Sequence, residues 1–171
     1  MSELNVVASL MAVAARTAPK AAGKDFVVVK VIEGQALKEL GERMCDYGVR
    51  TGKGNFDRDG NNVAASAAVV LIGIKDAKTT GLNCGACGVE QCSELAVNNF
   101  HGEFAGPQCA YRLLDMGIAI GSAVKMAGML NVDNRIMYRA GVVAREMGLI
   151  DADLVMGIPL SATGKSIYFD R

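Results

Sequence analysis

Five cysteines occur in this chain of 171 residues, and four of them, Cys84, Cys87, Cys92 and Cys109, follow the spacing C-x2-C-x4-C-x16-C. Thiolate sulfur is a soft ligand, and four such atoms converging suit an iron–sulfur cluster or tetrahedral zinc. Structural zinc usually takes two short C-x2-4-C pairs on separate knuckles, and only one such pair exists here. Three cysteines within nine residues can instead wrap three corners of a cube from one loop, with the fourth returning after an intervening helix. The spacing therefore favours a 4Fe–4S cluster. Gly85 and Gly88 fit the same chemistry, because a loop around a cluster must turn backbone N–H groups toward sulfide, and Gly reaches the positive φ this needs. Zinc and plain buried thiols are the competing readings.

The elements that must carry these residues follow from patterning. Ser2 reads as an N-cap, with Leu4, Val7, Leu10, Met11 and Ala14 at helical spacing, so a helix is expected over residues 3–15. Phe26 to Ile32 is β-branched and nearly continuous, as a strand covered on both faces would be. Leu37, Leu40, Met44 and Tyr47 mark a second helix ending at Gly48, with Cys45 as core. Residues 50–62 read as a polar loop. Residues 64–74 lead into a second buried strand, from whose end the cysteine loop departs.

Ser93 to Phe100 is expected to be a short helix and Gly102 to Pro107 a turn, with the lone His101 on the surface. A long helix follows from Cys109 to about Leu130, its stripe read as Leu113, Met116, Gly117, Ile120, Val124 and Met129. Asn131 or Asp133 is expected to cap a further helix closed by Gly148. Strands are expected at Leu154–Leu160 and Lys165–Phe169. This layout predicts an α+β fold with a mixed sheet and helices on both faces, one domain over residues 1–171 with residues 83–110 as an inserted cysteine segment.

Composition sets bounds on partners. Lys+Arg and Asp+Glu balance at 18 each, aromatics make up 5% and Trp is absent. Such a chain offers little to nucleic acid, which wants a basic face and stacking rings. No apolar run approaches the ~20 residues of a membrane span, and no basic-then-apolar leader opens the chain. A cytoplasmic protein with reduced thiols is expected.

The cysteine run resembles the 4Fe–4S domain of the B subunit of ion-pumping electron-transport complexes and of corrinoid iron–sulfur proteins. Cys84, Gly85, Cys87, Gly88, Cys92 and Cys109 fall on that pattern, with Gln91 where the family prefers Gly. The resemblance implies that the four cysteines are ligands to a 4Fe–4S cluster. Two other passages resemble the FMN-dependent nitroreductase fold: residues 14–23 before the first strand, and Asp115 to Ile120 followed later by Gly157-Ile158-Pro159. That likeness implies FMN at a homodimer interface, with Arg16, Lys20, Gly23 and Lys165 as the candidates around it. The chain as a whole resembles prokaryotic ferredoxin-domain-containing proteins to which no reaction is assigned.

Two further motifs fail on spacing. Asp57-x-Asp59-x-Asn61 opens like a calcium loop but lacks Gly at the sixth place and an acid at the twelfth. Ser161-Ala162-Thr163-Gly164-Lys165-Ser166 lacks the first Gly of a phosphate-binding P-loop. The reading that follows is an iron–sulfur redox protein that passes electrons to a partner protein or small-molecule acceptor and relays them to bound FMN. A structural zinc or apo interaction module, and an FMN oxidoreductase with a purely structural cluster, are the alternatives. No acid–base residue stands out as catalytic.

Overall fold

The computed structural model describes residues 3–169. Its centre is a sheet with strand order β1-β2-β6-β5, formed by β1 (Val27–Glu33), β2 (Ala68–Ile74), β5 (Asp133–Asn134) and β6 (Leu154–Ser161). Helices α1 (Glu3–Thr17) and α4 (Ala110–Met129) cover one face, and α2 (Gly34–Thr51), α3 (Phe56–Ala64) and α5 (Tyr138–Glu146) cover the other. β2 lies in the middle and every residue in it is buried. Its side chains alternate as pleating requires: Ala68, Val70, Ile72 and Ile74 enter the α1/α4 core, while Val69 and Leu71 enter the α2/α3/α5 core.

All three strand pairings within this central sheet are antiparallel, so the expected mixed sheet is corrected. The cause is the number of helices in each connection. The α2–α3 hairpin carries the chain away and back again, so it re-enters the sheet at Ala68 beside Glu33, where it left. Likewise α4 and α5 together return it to Leu154, beside Ile74. A single crossover helix would have given parallel neighbours.

The residues read as a polar loop contain α3. Its inward positions are Phe56, Asp59, Gly60 and Val63, a helical i, i+3, i+4, i+7 stripe disguised by an acid and a glycine. Asp59 is buried because Arg58 and Arg139 both pair with it, at 2.8 and 2.9 Å. Gly60 and Gly41 let α2 and α3 touch backbone to backbone. A Cβ on Gly41 would lie 2.7 Å from the Gly60 carbonyl oxygen, and one on Gly60 would lie 2.6 Å from that of Gly41.

Other boundaries shift for local reasons. α2 runs through Gly48 to Thr51 and ends where Gly52 turns left-handed at φ +70°. Residues 92–94 make one 3-10 turn in place of the helix expected over Ser93–Phe100. Residues 100–106 form a two-stranded hairpin, β3 (Phe100–His101) with β4 (Ala105–Gly106), instead of a turn alone. Asp133 belongs to β5, and Met137 rather than Asn131 or Asp133 precedes α5. Lys165–Phe169 is not a strand; Tyr168 is buried there, its hydroxyl 2.8 Å from that of Ser66. Ser2, the expected N-cap, lies outside the described residues.

On α4 the buried stripe is Arg112, Asp115, Met116, Ala119, Ile120, Ala123 and Ala127, so Leu113 and Met129 face outward against expectation. No described helix is long and apolar enough to cross a membrane.

Candidate metal centre

Between β2 and α4 the chain makes a long excursion, residues 75–109, with little regular structure. Its start is tied down by Asp153, whose Oδ2 accepts from the Asp76 backbone N–H at 2.6 Å and from Asn98 Nδ2 at 2.9 Å. The excursion ends as α4 begins, at Cys109, whose extended backbone (φ −62°, ψ 130°) turns the chain into the helix. Cys109 is thus fixed to a rigid element and only 2% exposed, whereas Cys84 is exposed and Cys87 and Cys92 are half-buried in the loop.

All four cysteines line one cavity, together with Thr80, Asn83, Gly85, Ala86, Val89 and Leu95. Backbone N–H groups face the sulfurs from two sides. The Ala110 N–H donates to Cys87 Sγ at 3.2 Å, and the Asn83 N–H to Cys92 Sγ at 3.4 Å. Asn83 also accepts from the Cys92 N–H through Oδ1 at 2.8 Å, which closes the loop on itself. Asn83, Gly85 and Gly88 all adopt positive φ, at 49°, 73° and 82°, as the reading of the two glycines required. The Thr80 hydroxyl lies 4.0 Å from Cys109 Sγ.

Burial opposes the thiolate of Cys109, but hydrogen bonds from the backbone of Thr80, Tyr111 and Arg112 and from the Thr80 hydroxyl outweigh it. Its pKa falls below the ordinary thiol value. Cys45 behaves oppositely: burial and the nearby Asp57 push its thiol up, and it sits apart between α2 and α3. Among the described residues, no group of three or more His, Cys, Asp or Glu side chains is arranged to hold a metal ion. His101 is exposed on β3, away from the cysteine cavity.

Sequence reasoning missed the group beneath the centre. Arg112, one turn beyond Cys109, is fully buried. Its Nε donates to the Lys78 carbonyl at 2.9 Å, and Nη1 to the carbonyls of Ala21 and Lys24 at 3.0 and 3.3 Å and to Asp115 Oδ2 at 2.9 Å. Asp115 Oδ1 in turn accepts from the Ala21 N–H at 2.7 Å, and Phe26 lies under the guanidinium at 4.8 Å. The signal was an oppositely charged i, i+3 pair on an otherwise apolar helix face.

The flavin candidates divide. Arg16, exposed in the last turn of α1, Lys20 and Gly23 (φ +63°) lie near the Val27 end of β1. Lys20 is not solvated: its Nζ bonds the carbonyls of Ala15 (3.4 Å) and Arg16, capping α1, and its side chain is 7% exposed. Lys165 follows the Ser161 end of β6, which is the opposite end of the sheet because Val27 pairs toward Ile74 and Leu154. Strands of this length separate those ends by about 20 Å. One chain does not bring the four candidates together.

A protein from Archaeoglobus fulgidus, described as uncharacterized, is 48% identical to this chain over 169 residues, covering 98% of this chain and 91% of the relative. The model of a family described as uncharacterized protein containing a ferredoxin domain (DUF2148) matches residues 105–171. The chain belongs to this ferredoxin-domain family. The matched part includes Cys109 but not the three loop cysteines.

Solved structures show the fold of this chain to be nitroreductase-like. Nitroreductase CinD from Lactococcus lactis, in complex with chloramphenicol, superposes with a TM-score of 0.62 at 14% identity, over 99% of this chain and 86% of that one. A nitroreductase with bound FMN from Desulfitobacterium hafniense gives 0.60 at 12% identity, over 96% and 80%. For nitroreductase A from Vibrio parahaemolyticus RIMD 2210633 the values are 0.59 and 10%, over 97% and 60%. The chain thus spans three fifths of that enzyme's length.

Proposed function

We propose that the protein carries electrons on a 4Fe–4S cluster held by Cys84, Cys87, Cys92 and Cys109. The observation that carries this reading is the shared cavity: four cysteines from a loop and a helix start line it, with backbone N–H groups directed at the sulfurs of two of them. A tetrahedral zinc ion, with Zn–S near 2.3 Å, would need its sulfurs within roughly 4 Å of one another. A 4Fe–4S cluster instead takes its thiolates from one short loop and a distant fourth position, the division seen here between residues 84–92 and Cys109 at the start of α4.

Bound there, the cluster would supply one-electron chemistry. The protein's part is to hold thiolate and tune potential. Asn83, Ala110 and Thr80 direct hydrogen bonds at sulfur, and Val89, Leu95 and Ala86 provide apolar walls. Residues 83–110 act as the cluster segment of a single domain, in a cytoplasmic setting that keeps thiols reduced. The electrons go to a partner protein or small-molecule acceptor.

FMN is the proposed second carrier, supported by the nitroreductase-like fold and by Arg16, Lys20 and Gly23 sharing one end of β1. Lys165 would join them only from a second copy. A homodimer is supported by the outer surface of α1 and α4. There Val6, Leu10 and Val13 are exposed on one helix, and Leu113, Leu114 and Ile118 on the other. The same fold likeness favours one second reading, an FMN oxidoreductase whose cluster is structural only.

Anaerobic purification with visible absorption tests the first reading. A broad thiolate-to-iron band that bleaches with dithionite is expected. Colourless protein with stoichiometric zinc would end it. Cys92→Ser separates the second reading, because a structural cluster leaves flavin reduction by NAD(P)H intact when the relay is cut.

A further inference from the structure

We propose that Arg112 is a positioning residue that sets the cluster's reduction potential through Thr80. This rests on the cluster assignment above and concerns what tunes it. Cys109 and Arg112 stand one turn apart at the start of α4, so one rigid element carries both a sulfur ligand and a buried guanidinium. The guanidinium grips the Lys78 carbonyl at 2.9 Å, two residues before Thr80. The same group is held in place by Asp115 at 2.9 Å and by the carbonyls of Ala21 and Lys24, and it stacks on Phe26. Upstream of that grip, residue 76 is anchored by Asp153. The chain is therefore fixed at residues 76 and 78, and two residues on the Thr80 hydroxyl lies 4.0 Å from the Cys109 sulfur.

A deprotonated sulfur ligand has no hydrogen to give, so the hydroxyl donates. Donors to a ligand sulfur stabilise the reduced, more negative cluster more than the oxidised one and so raise its potential. Arg112 acts by placement rather than by net charge, since Asp115 neutralises it at contact distance. Its planar fork reaches several carbonyls at once, which a lysine ammonium on a flexible stem does not reproduce.

The test is the midpoint potential of the anaerobic protein by dithionite titration, with iron and labile sulfide measured on each variant. Thr80→Val keeps shape and removes the hydroxyl; it should retain full iron and sulfide and shift the midpoint to more negative values. Thr80→Ser keeps the hydroxyl and should return the midpoint toward wild type. Arg112→Lys keeps the charge, should shift in the same direction as Thr80→Val, and should add little to it in the double variant. Should Arg112→Lys fail to fold, the two threonine variants still decide the hydroxyl's part. An unchanged midpoint in Thr80→Val at full cluster content overturns the proposal while leaving the cluster assignment standing. A wild-type protein without iron or sulfide overturns both.

Discussion

The Ala110 N–H points at the sulfur of Cys87 across 3.2 Å, although the two residues lie 23 positions apart. Ala110 is the first residue of α4, where the helix leaves its N–H groups without internal partners, and one of those groups is spent on the cysteine loop.

Replacing Ala110 by proline isolates that contact. Proline fits the first helical position, and Cys109 already has the extended backbone that precedes proline. Its ring carbon would nevertheless take the space between nitrogen and sulfur. Ala110→Pro is expected to keep the far-ultraviolet circular dichroism of the wild type and to lose most of its bound iron, whereas Ala110→Gly keeps both. Full iron in the proline variant would show that Cys87 does not depend on this approach.

The backbone crossing of α2 and α3 gives a stability prediction. A methyl on Gly41 or Gly60 would sit within 2.7 Å of the opposing carbonyl oxygen, so the helices must part. Gly41→Ala and Gly60→Ala should each destabilise by about 1–3 kcal/mol in urea unfolding, the range for overpacking. A gain in stability from either would contradict the packing.

Glu103, at the tip of the β3–β4 hairpin, anchors the excursion to the opposite helical layer. It accepts from the hydroxyls of Tyr47 (2.8 Å) and Tyr138 and pairs with Lys53 at 2.6 Å. Burial disfavours the Glu103 carboxylate, yet these donors outweigh it and hold its pKa below the ordinary 4.5; burial and Glu103 push Tyr47 and Tyr138 from 10 up to about 12. The signs define a window. The carboxylate's contribution is present above its unfolded pKa and is lost as pH falls through the lowered folded one. The tyrosines' contribution is full below 10 and is lost as pH rises toward about 12. Spectrophotometric titration should find both tyrosines ionising near 12, and Glu103→Gln should bring them down.

Much of this was legible in the sequence. The grouping of four cysteines at one cavity, β2 and the extent of α4 followed from residue types alone, because each is a local pattern. α3 was hidden because Asp59 and Gly60 occupy core positions for tertiary reasons, the pairing of Arg139 with Asp59 and the facing Gly41, both distant along the chain. The outward turn of Leu113 and Met129 was hidden too. The stripe of α4 is set by the Arg112–Asp115 pair and by small alanines against α1, and hydrophobicity alone favours the larger side chains. Lys165 was grouped with Arg16 by family likeness, whereas strand direction places them at opposite ends of one sheet.

The exposed apolar side chains of α1 and α4 predict assembly. Leu114 and Ile118 are 57% and 45% exposed on adjacent turns of α4, beside Gly117 and Gly121, at which an added Cβ would meet nothing within 4 Å. Light scattering should give the mass of two chains for the wild type and of one for Leu114→Glu/Ile118→Glu, with unchanged circular dichroism. A monomeric wild type would remove the dimer.

The central claim is tested most directly by iron, acid-labile sulfide and zinc measured together on anaerobically purified protein. Four iron and four sulfide per chain without zinc are expected. Cys109→Ser should lose most of both and Cys45→Ala should keep them. Stoichiometric zinc without sulfide, or iron retained undiminished when Cys84, Cys87, Cys92 and Cys109 are all replaced by serine, would contradict the assignment.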